Sequence, residues 1–139
     1  MKYIALTLLF VSFILAFNSC KKDSEHNNPA NGQWKWTLSI GGFSGNSISE
    51  PSSNSNVTLT LDNSLTYTTY LNNQTKTQGT YQITTLSGNT SIIHFDKPII
   101  TDNLYLHYEQ TILLNRNDSL VLYDYNISEG FRHFFTKIK

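Results

Sequence analysis

The sequence predicts an all-β fold, an eight-stranded up-and-down antiparallel barrel, and three observations lead to it. From Gly32 onward, apolar residues recur at every second position, which is the period of a β-strand. Short clusters of Asn, Asp, Ser and Gly separate these runs and are typical of tight turns. The region is also rich in Thr, Tyr and Phe and nearly free of Ala, Met and Glu, a composition that favours strands over helices. A two-sheet β-sandwich is the alternative that the same pattern allows.

The first segment, residues 1–19, has the three-part build of a secretion signal. Lys2 gives it a short charged start, a nearly continuous apolar run extends from Ile4 to Phe17, and the small polar residue Ser19 stands before Cys20. The apolar run is too short to span a bilayer comfortably, which favours a signal over a membrane anchor or a buried helix. Cys20 is the only cysteine, so the mature domain is expected to contain no disulfide.

The residues around Cys20 resemble a lipobox, the cut site of the lipoprotein signal peptidase. Phe17 and Asn18 depart from the common Leu-Ala/Ser pattern, but 19–23, Ser-Cys-Lys-Lys-Asp, are similar to the junction in many lipoproteins of the phylum Bacteroidota. The resemblance implies cleavage before Cys20, lipid on its thiol and an outer-membrane lipoprotein of the cell envelope. Each buried methylene adds about 0.8 kcal/mol, so two or three acyl chains anchor a protein stably.

Residues 20–31 are expected to carry the lipidated cysteine and a flexible tether, because 21–31 are polar and show no periodicity. Asp23 and Glu25 resemble the acidic export signal that places some Bacteroidota lipoproteins on the outer surface of the cell. A plain solvated linker is the alternative, since Lys21 and Lys22 flank these acids.

The barrel domain is predicted to occupy residues 32–139. Its eight strands are expected near 34–40, 57–61, 65–71, 79–84, 92–95, 104–114, 120–123 and 131–138. Alternation places Trp34, Trp36, Leu38 and Ile40 on one face of the first strand. It also places an apolar set on one face of a long sixth strand, namely Leu104, Leu106, Tyr108, Ile112 and Leu114. The sequence does not decide which residues of the last strand point into the barrel.

One connection is longer than a hairpin needs. Residues 41–56 join the first and second strands, and loops of this length are usually functional or disordered. They are interpreted either as a lid over the barrel mouth, with Phe43 and Ile48 as its apolar contacts, or as a floppy Ser/Asn insert.

Gly32-Gln33-Trp34 at the start of the first strand resembles the lipocalin and calycin signature. In that family the Trp plugs the closed end of the barrel beneath a basic residue from the last strand, a part that Lys137, Lys139 or Arg132 would take here. Further motifs are similar to those of lipocalin-like Bacteroidota lipoproteins. They are Trp-Lys-Trp with Gly-Gly (34–42), Leu-Thr-Leu (59–61), Tyr-x-x-Tyr (67–70), Gly-Thr-Tyr-x-Ile (79–83), Asp-Ser-Leu-x-Leu (118–122) and Gly-Phe-x-His-x-Phe (130–135). This resemblance implies a barrel on a lipid anchor and no particular chemistry.

Composition and motifs disfavour several function classes. The chain carries no net charge, and removing residues 1–19 takes away only Lys2, so the mature chain is near neutral and nucleic acid is not an expected partner. No close His spacing suggests a metal site, no cofactor motif occurs, and the single cysteine is the anchor, so we expect neither cofactor nor enzymatic activity. Asp118-Ser119-Leu120 resembles a Bacteroidota O-glycan motif, and a hairpin turn capped by Asp118 is the favoured alternative.

Two function hypotheses remain, and the barrel interior separates them. In the first, the barrel binds a small apolar or amphipathic ligand through Phe43, Ile48, Trp36, Tyr67 and Tyr81, since aromatic side chains suit such cavities. In the second, Trp36, Tyr67, Tyr81 and Leu106 fill the barrel, and the lipoprotein is a scaffold that contacts other envelope proteins through its surface.

The anchor prediction is tested by Cys20→Ala in the full-length protein expressed in its host. The wild type should lose residues 1–19 and gain the mass of its acyl chains, whereas the variant should stay uncleaved and unlipidated because the thiol carries the lipid. Ser19→Ala, which keeps a small residue before the cysteine, is the matched control. Intact-mass measurement on membrane fractions reads out both steps, and identical processing of wild type and Cys20→Ala would contradict the assignment.

Overall fold

The computed structural model describes residues 28, 30–86, 90–114 and 118–138, and every regular element in them is a β-strand. The strands are β1 (Gly32–Gly41), β2 (Ser47–Ser49), β3 (Val57–Leu61), β4 (Thr66–Leu71), β5 (Gln74–Thr85), β6 (Ser91–Phe95), β7 (Ile99–Thr101), β8 (Leu104–Leu106), β9 (Glu109–Leu114), β10 (Ser119–Asp124) and β11 (Arg132–Lys137). The predicted signal segment and Cys20 lie outside the described residues. Within these residues, no helix is long and apolar enough to cross a membrane.

The fold prediction is confirmed: eight strands form a closed, antiparallel, up-and-down barrel. Its wall runs in the order β1-β3-β4-β5-β6-β9-β10-β11, and β11 pairs back with β1. This last pairing excludes the two-sheet sandwich, because a closed ring leaves no sheet edges between two layers. Within the described residues, the ring of strands and its apolar core lie between Ala30 and Ile138.

A β-bulge in β1 corrects the predicted inner face of that strand. Trp36 pairs with Phe135, but the next pair is Leu38 with Phe134, so β1 has one extra residue at Thr37. Trp34 and Trp36 point inward as predicted, whereas Leu38 and Ile40 do not share their face. The extra residue shifts the alternation by one position, which turns Ser39 into the barrel and Leu38 and Ile40 outward.

The predicted long strand over 104–114 is wrong, because it is two strands. β8 pairs with β7 in a separate hairpin, and the chain rejoins the wall only at Glu109. The alternation breaks between the two, so Tyr108 is 54% exposed instead of sharing the inner face of Leu106 and Ile112. Leu65 also lies outside its predicted strand, in the turn before β4, with a φ of 61°.

Trp34 marks the closed end of the barrel. Its side chain is 1% exposed, its indole N–H donates to the Ala30 carbonyl at 2.8 Å, and Lys137 Nζ lies 5.4 Å from its ring centre. Among the described residues, Lys137 is thus the basic residue over Trp34 and Arg132 stacks elsewhere, while Lys139 lies outside them. Ala30 is fully buried and the Asn28 amide donates to the Tyr81 hydroxyl, so these two residues of the segment predicted to be a tether are packed on the barrel.

Trp34→Ala should lower the free energy of unfolding by about 3–5 kcal/mol, because it empties a buried site and orphans the Ala30 carbonyl. Lys35→Ala, at the exposed neighbouring position, is the control and should change stability by less than about 0.5 kcal/mol. Urea unfolding followed by circular dichroism measures both. Equal stabilities of Trp34→Ala and wild type would show that Trp34 is not the closing plug.

Candidate functional site

The barrel interior contains three of the predicted ligand-binding residues. Trp36, Tyr67 and Tyr81 project inward from β1, β4 and β5, and each is at most 1% exposed. A side chain that lined a cavity large enough for water would keep accessible surface towards it. The interior is therefore filled at the level of these three residues, together with the fully buried Leu106.

Aromatic packing accounts for this filling. The Phe95 ring lies edge-on to Tyr67 with centroids 5.2 Å apart and tilted against Tyr81 at 6.5 Å, arrangements that aromatic pairs favour. The Tyr67 hydroxyl donates to Asp96 Oδ1 at 3.1 Å, and burial, followed by this bond and the charge of Asp96, raises the pKa of Tyr67. Gly79 makes room for that carboxylate, since a Cβ there would lie 2.3 Å from Asp96 Oδ1.

The second tyrosine of this aromatic cluster, Tyr81, also has a hydroxyl with hydrogen-bond partners. It donates to the Asp62 carbonyl at 2.6 Å and accepts the bond from the Asn28 amide. Burial and the charge of Asp62 raise the pKa of Tyr81 to about 12, with the Asn28 bond acting against them. Tyr81 is thus a neutral, fully satisfied hydroxyl at neutral pH, which suits a packing role.

The hairpin of β7 and β8 covers the barrel mouth. Ile99, Leu104 and Leu106 on its inner face are buried and belong to the same apolar core as Trp36. The mouth is the end where β6 ends and β9 begins, so the segment that connects them folds back over the opening as this hairpin. The apolar core of the barrel therefore extends into the β7–β8 hairpin.

The long 41–56 loop lies against the tip of this hairpin. The Ser52 N–H and hydroxyl donate to Asp102 at 2.7 and 2.6 Å, and the Asn103 amide donates to the Glu50 carbonyl at 2.9 Å. The bonds from Ser52 lower the pKa of Asp102. Phe43 and Ile48, the predicted apolar contacts of this loop, are 90% and 65% exposed, so the structure does not bring them together with Trp36, Tyr67 and Tyr81.

A buried polar chain, which the sequence interpretation missed, crosses four neighbouring strands near the mouth. Ser39 Oγ lies 2.7 Å from His133 Nδ1, and His133 Nε2 lies 3.4 Å from Asp124 Oδ1. Gln110 Nε2 donates to the same carboxylate oxygen at 2.6 Å, and the Phe131 N–H donates to its other oxygen at 2.8 Å. Ser39, His133, Asp124 and Gln110 are each at most 2% exposed.

The proton positions in this chain follow from its fixed donors. The Trp36 indole N–H can only donate, and it reaches Ser39 Oγ at 3.1 Å, so the serine proton is free to bond His133 Nδ1. The ring proton is then assigned to Nε2, facing Asp124. Burial alone would raise the pKa of Asp124, but the bonds from His133, the Phe131 N–H and Gln110 outweigh it and lower the pKa.

The types Ser, His and Asp are those of a hydrolytic triad, yet the geometry favours a structural role. Ser39 is 2% exposed and its oxygen already accepts the Trp36 indole, which leaves no approach for a substrate carbonyl. The chain instead joins β1, β9, β10 and β11 by side-chain bonds across the position where the barrel closes.

The remaining sequence candidates are separate from one another. His26 lies outside the described residues, His94 pairs with Glu109 at 3.1 Å, and His107 packs edge-on to Tyr105. In the described ranges, no three His, Cys, Asp or Glu side chains come together as a metal site would require. Asp118 directly precedes β10 and its carbonyl accepts the Lys137 N–H at 2.9 Å, while 115–117 of the predicted turn lie outside the described residues.

In the described part of the chain, three grooves can be traced on the outside of the wall. One of about 460 Å³ at the mouth end is lined by residues that include Gly42, Phe43, Tyr123 and Arg132. Another, of about 320 Å³, is nearly apolar and shares Ile40 and Phe134 with the first. A third, of about 360 Å³ over β3 and β4, is lined mainly by hydroxyl and amide groups.

No protein-family model, curated protein or solved structure matches this chain. The likeness to lipocalin-like lipoproteins therefore stays a prediction from motifs in the sequence.

Asp124→Asn should destabilise the barrel by about 1–3 kcal/mol at pH 7, because it removes a buried charged acceptor from three donors. The folded-state pKa of Asp124 is lowered, so its stabilisation is present above the unfolded value of about 3.9 and is lost as pH falls through the folded value. The difference in free energy of unfolding between wild type and Asp124→Asn should therefore become smaller as the pH falls below about 5, because protonation of Asp124 removes the charge that the variant lacks.

Urea unfolding at pH 7 and at successively lower pH measures this gap. Asp118→Asn, at an exposed turn position, is the matched control and should stay within about 0.5 kcal/mol of wild type at each pH. A gap that keeps its size down to the acid limit would mean that the carboxylate charge of Asp124 is not what stabilises the chain of hydrogen bonds.

Proposed function

We propose that this protein is a non-catalytic, lipid-anchored lipoprotein of the cell envelope that works through the outer surface of a filled barrel. The observation that carries the proposal is the interior packing, in which Trp36, Tyr67 and Tyr81 are at most 1% exposed. An eight-stranded barrel is just wide enough for side chains to fill or for one small ligand. Large aromatic side chains occupy that space here, which moves any binding site to the outside.

The anchor in this proposal is lipid on Cys20, supported by the apolar run that ends at Ser19. Asn28 and Ala30 pack at the Trp34 end of the barrel. The eight residue steps from Cys20 to Asn28 reach at most about 30 Å, at about 3.6 Å per residue. In an outer-membrane lipoprotein of this kind, the closed end would face the membrane and the mouth end would face away.

The outer surface supports this role because it exposes apolar side chains. Phe43, Ile48 and Ile100 near the mouth are 90%, 65% and 61% exposed. Leu38 and Phe134 are half-buried on the outer wall. Clustered apolar groups rimmed by polar residues mark binding surfaces more often than single exposed residues do.

The competing hypothesis is a ligand inside the barrel, as the lipocalin resemblance implies. This hypothesis has less support. A ligand inside the barrel would have to displace from the core the side chains of Leu104 and Leu106, which belong to the β7–β8 hairpin. Residues 41–56 would then act through the hairpin that they bind and not as the cover itself.

Native mass spectrometry separates the two hypotheses. We expect residues 21–139, produced in the host as a soluble domain and purified without denaturation, to show the mass of the chain alone, because a filled interior retains no ligand. The same sample after unfolding and desalting is the control. A stoichiometric organic molecule that leaves only on unfolding would overturn the filled-barrel proposal and restore the interior ligand.

A further inference from the structure

The two outer grooves that share Ile40 and Phe134 form one trough along β11, called here the outer-wall trough. The strand register places its residues in cross-strand rows. Val121 of β10 pairs with Phe134, which pairs with Leu38 of β1, and this middle row is wholly apolar. The row towards the mouth is Tyr123, Arg132 and Ile40.

The β-bulge at Thr37 creates the apolar part of this trough. Without the extra residue, Leu38 and Ile40 would continue the inward face of Trp34 and Trp36. With it, both side chains turn out beside Phe134 and stay half-buried along the outer wall. The bulge turns Ser39 inward to the buried polar chain, but this does not require apolar side chains on the outer face, so the apolar channel there calls for another explanation.

The mouth end of the trough carries a positioned cation. The Arg132 guanidinium lies 5.6 Å from the Tyr123 ring centre, a distance at which the ring orients it by a cation–π contact. Arg132 is exposed, and none of the described carboxylates pairs with it. Glu129 lines the same groove, so an anion at Arg132 would also feel its repulsion.

We propose that the outer-wall trough binds an amphipathic monoanion, with a carboxylate on Arg132 and an acyl chain that runs along β11 past Phe134 towards Thr136, between Val121 and Leu38. This inference rests on the proposed surface function and names the ligand class for it. A guanidinium with free donors matches a carboxylate in geometry and charge. The four strand steps from Arg132 to Thr136 span about 13 Å, at about 3.3 Å per residue, which suits a chain of about ten carbons.

The test is a titration of ¹⁵N-labelled residues 21–139 with sodium decanoate, below its micelle concentration and at low salt. Decanol keeps the chain without the charge, decyltrimethylammonium reverses the charge, and acetate keeps the head without the chain. We expect decanoate to shift amide signals of β1, β10 and β11 and to bind more tightly than the other three probes.

Matched variants assign the two ends of the ligand. Arg132→Gln should weaken decanoate binding about tenfold and leave decanol unchanged, since a charge-assisted bond is lost. Glu129→Gln should tighten decanoate binding, because it removes a like charge. Lys76→Gln, an exposed cation on β5, should have no effect, and Lys35→Gln checks the reverse orientation, since Lys35 pairs with Thr136 at the other end.

The experiment distinguishes failure of the ligand assignment from failure of the filled-barrel proposal. Decanol binding as tightly as decanoate, an unaffected Arg132→Gln variant, or a loss with Lys35→Gln instead would overturn the ligand assignment and leave the filled barrel intact. Signals that shift on inward-facing residues such as Leu59 and Ile93 would overturn the proposed function itself, because they would place the ligand inside the barrel.

Discussion

The pairing of β11 with β1 is the constraint on which the rest of this structure depends, because it turns a meander into a closed ring. Closure needs the first and last strands to match in length and register, and the match is reached with one extra residue at Thr37. Gly41 permits the closest approach at the mouth end of this seam, where a Cβ would lie 2.4 Å from the Gly130 carbonyl oxygen. The bulge also brings Ser39 inward, so that the buried chain through His133 and Asp124 ties the closing strands together by side chains as well as by the backbone.

The ring itself could be predicted from the sequence because period-two alternation and turn residues are local signals. Leu59, Tyr67 and Tyr81 point inward as their alternation requires, and the short turns join antiparallel neighbours. The bulge could not be predicted, since Trp-Lys-Trp-Thr-Leu-Ser-Ile reads as unbroken alternation and only the pairing with Phe134 and Phe135 reveals the shift. For the same reason, 104–114 reads as one strand although 104–106 belong to the covering hairpin and the chain rejoins the wall only at Glu109.

The predicted site was incomplete because the sequence revealed neither the bulge at Thr37 nor the break between β8 and β9. Once the bulge is known, Ser39 faces His133, and the even-numbered set Leu120, Leu122 and Asp124 puts an acid on an inward face. A buried carboxylate requires donors, so Asp124 was the signal that could have pointed to the polar chain. The covering hairpin had no comparable signal, because Ile99, Leu104 and Leu106 have the same apolar alternation as a wall strand.

Filling the barrel has a consequence for where function can reside. The hairpin of β7 and β8 places Leu104 and Leu106 in the core, and Asp102 ties its tip to Ser52, so opening the mouth would expose apolar surface and break charged hydrogen bonds together. Binding on the outer surface of β11 requires neither exposure of the core nor loss of these hydrogen bonds. Leu38, Phe134 and Arg132 lie there without any element packed over them in the described part of the chain, and a ligand or partner gains apolar burial without unpacking the core. The register shift that closes the barrel thus also produces the surface on which binding is least opposed.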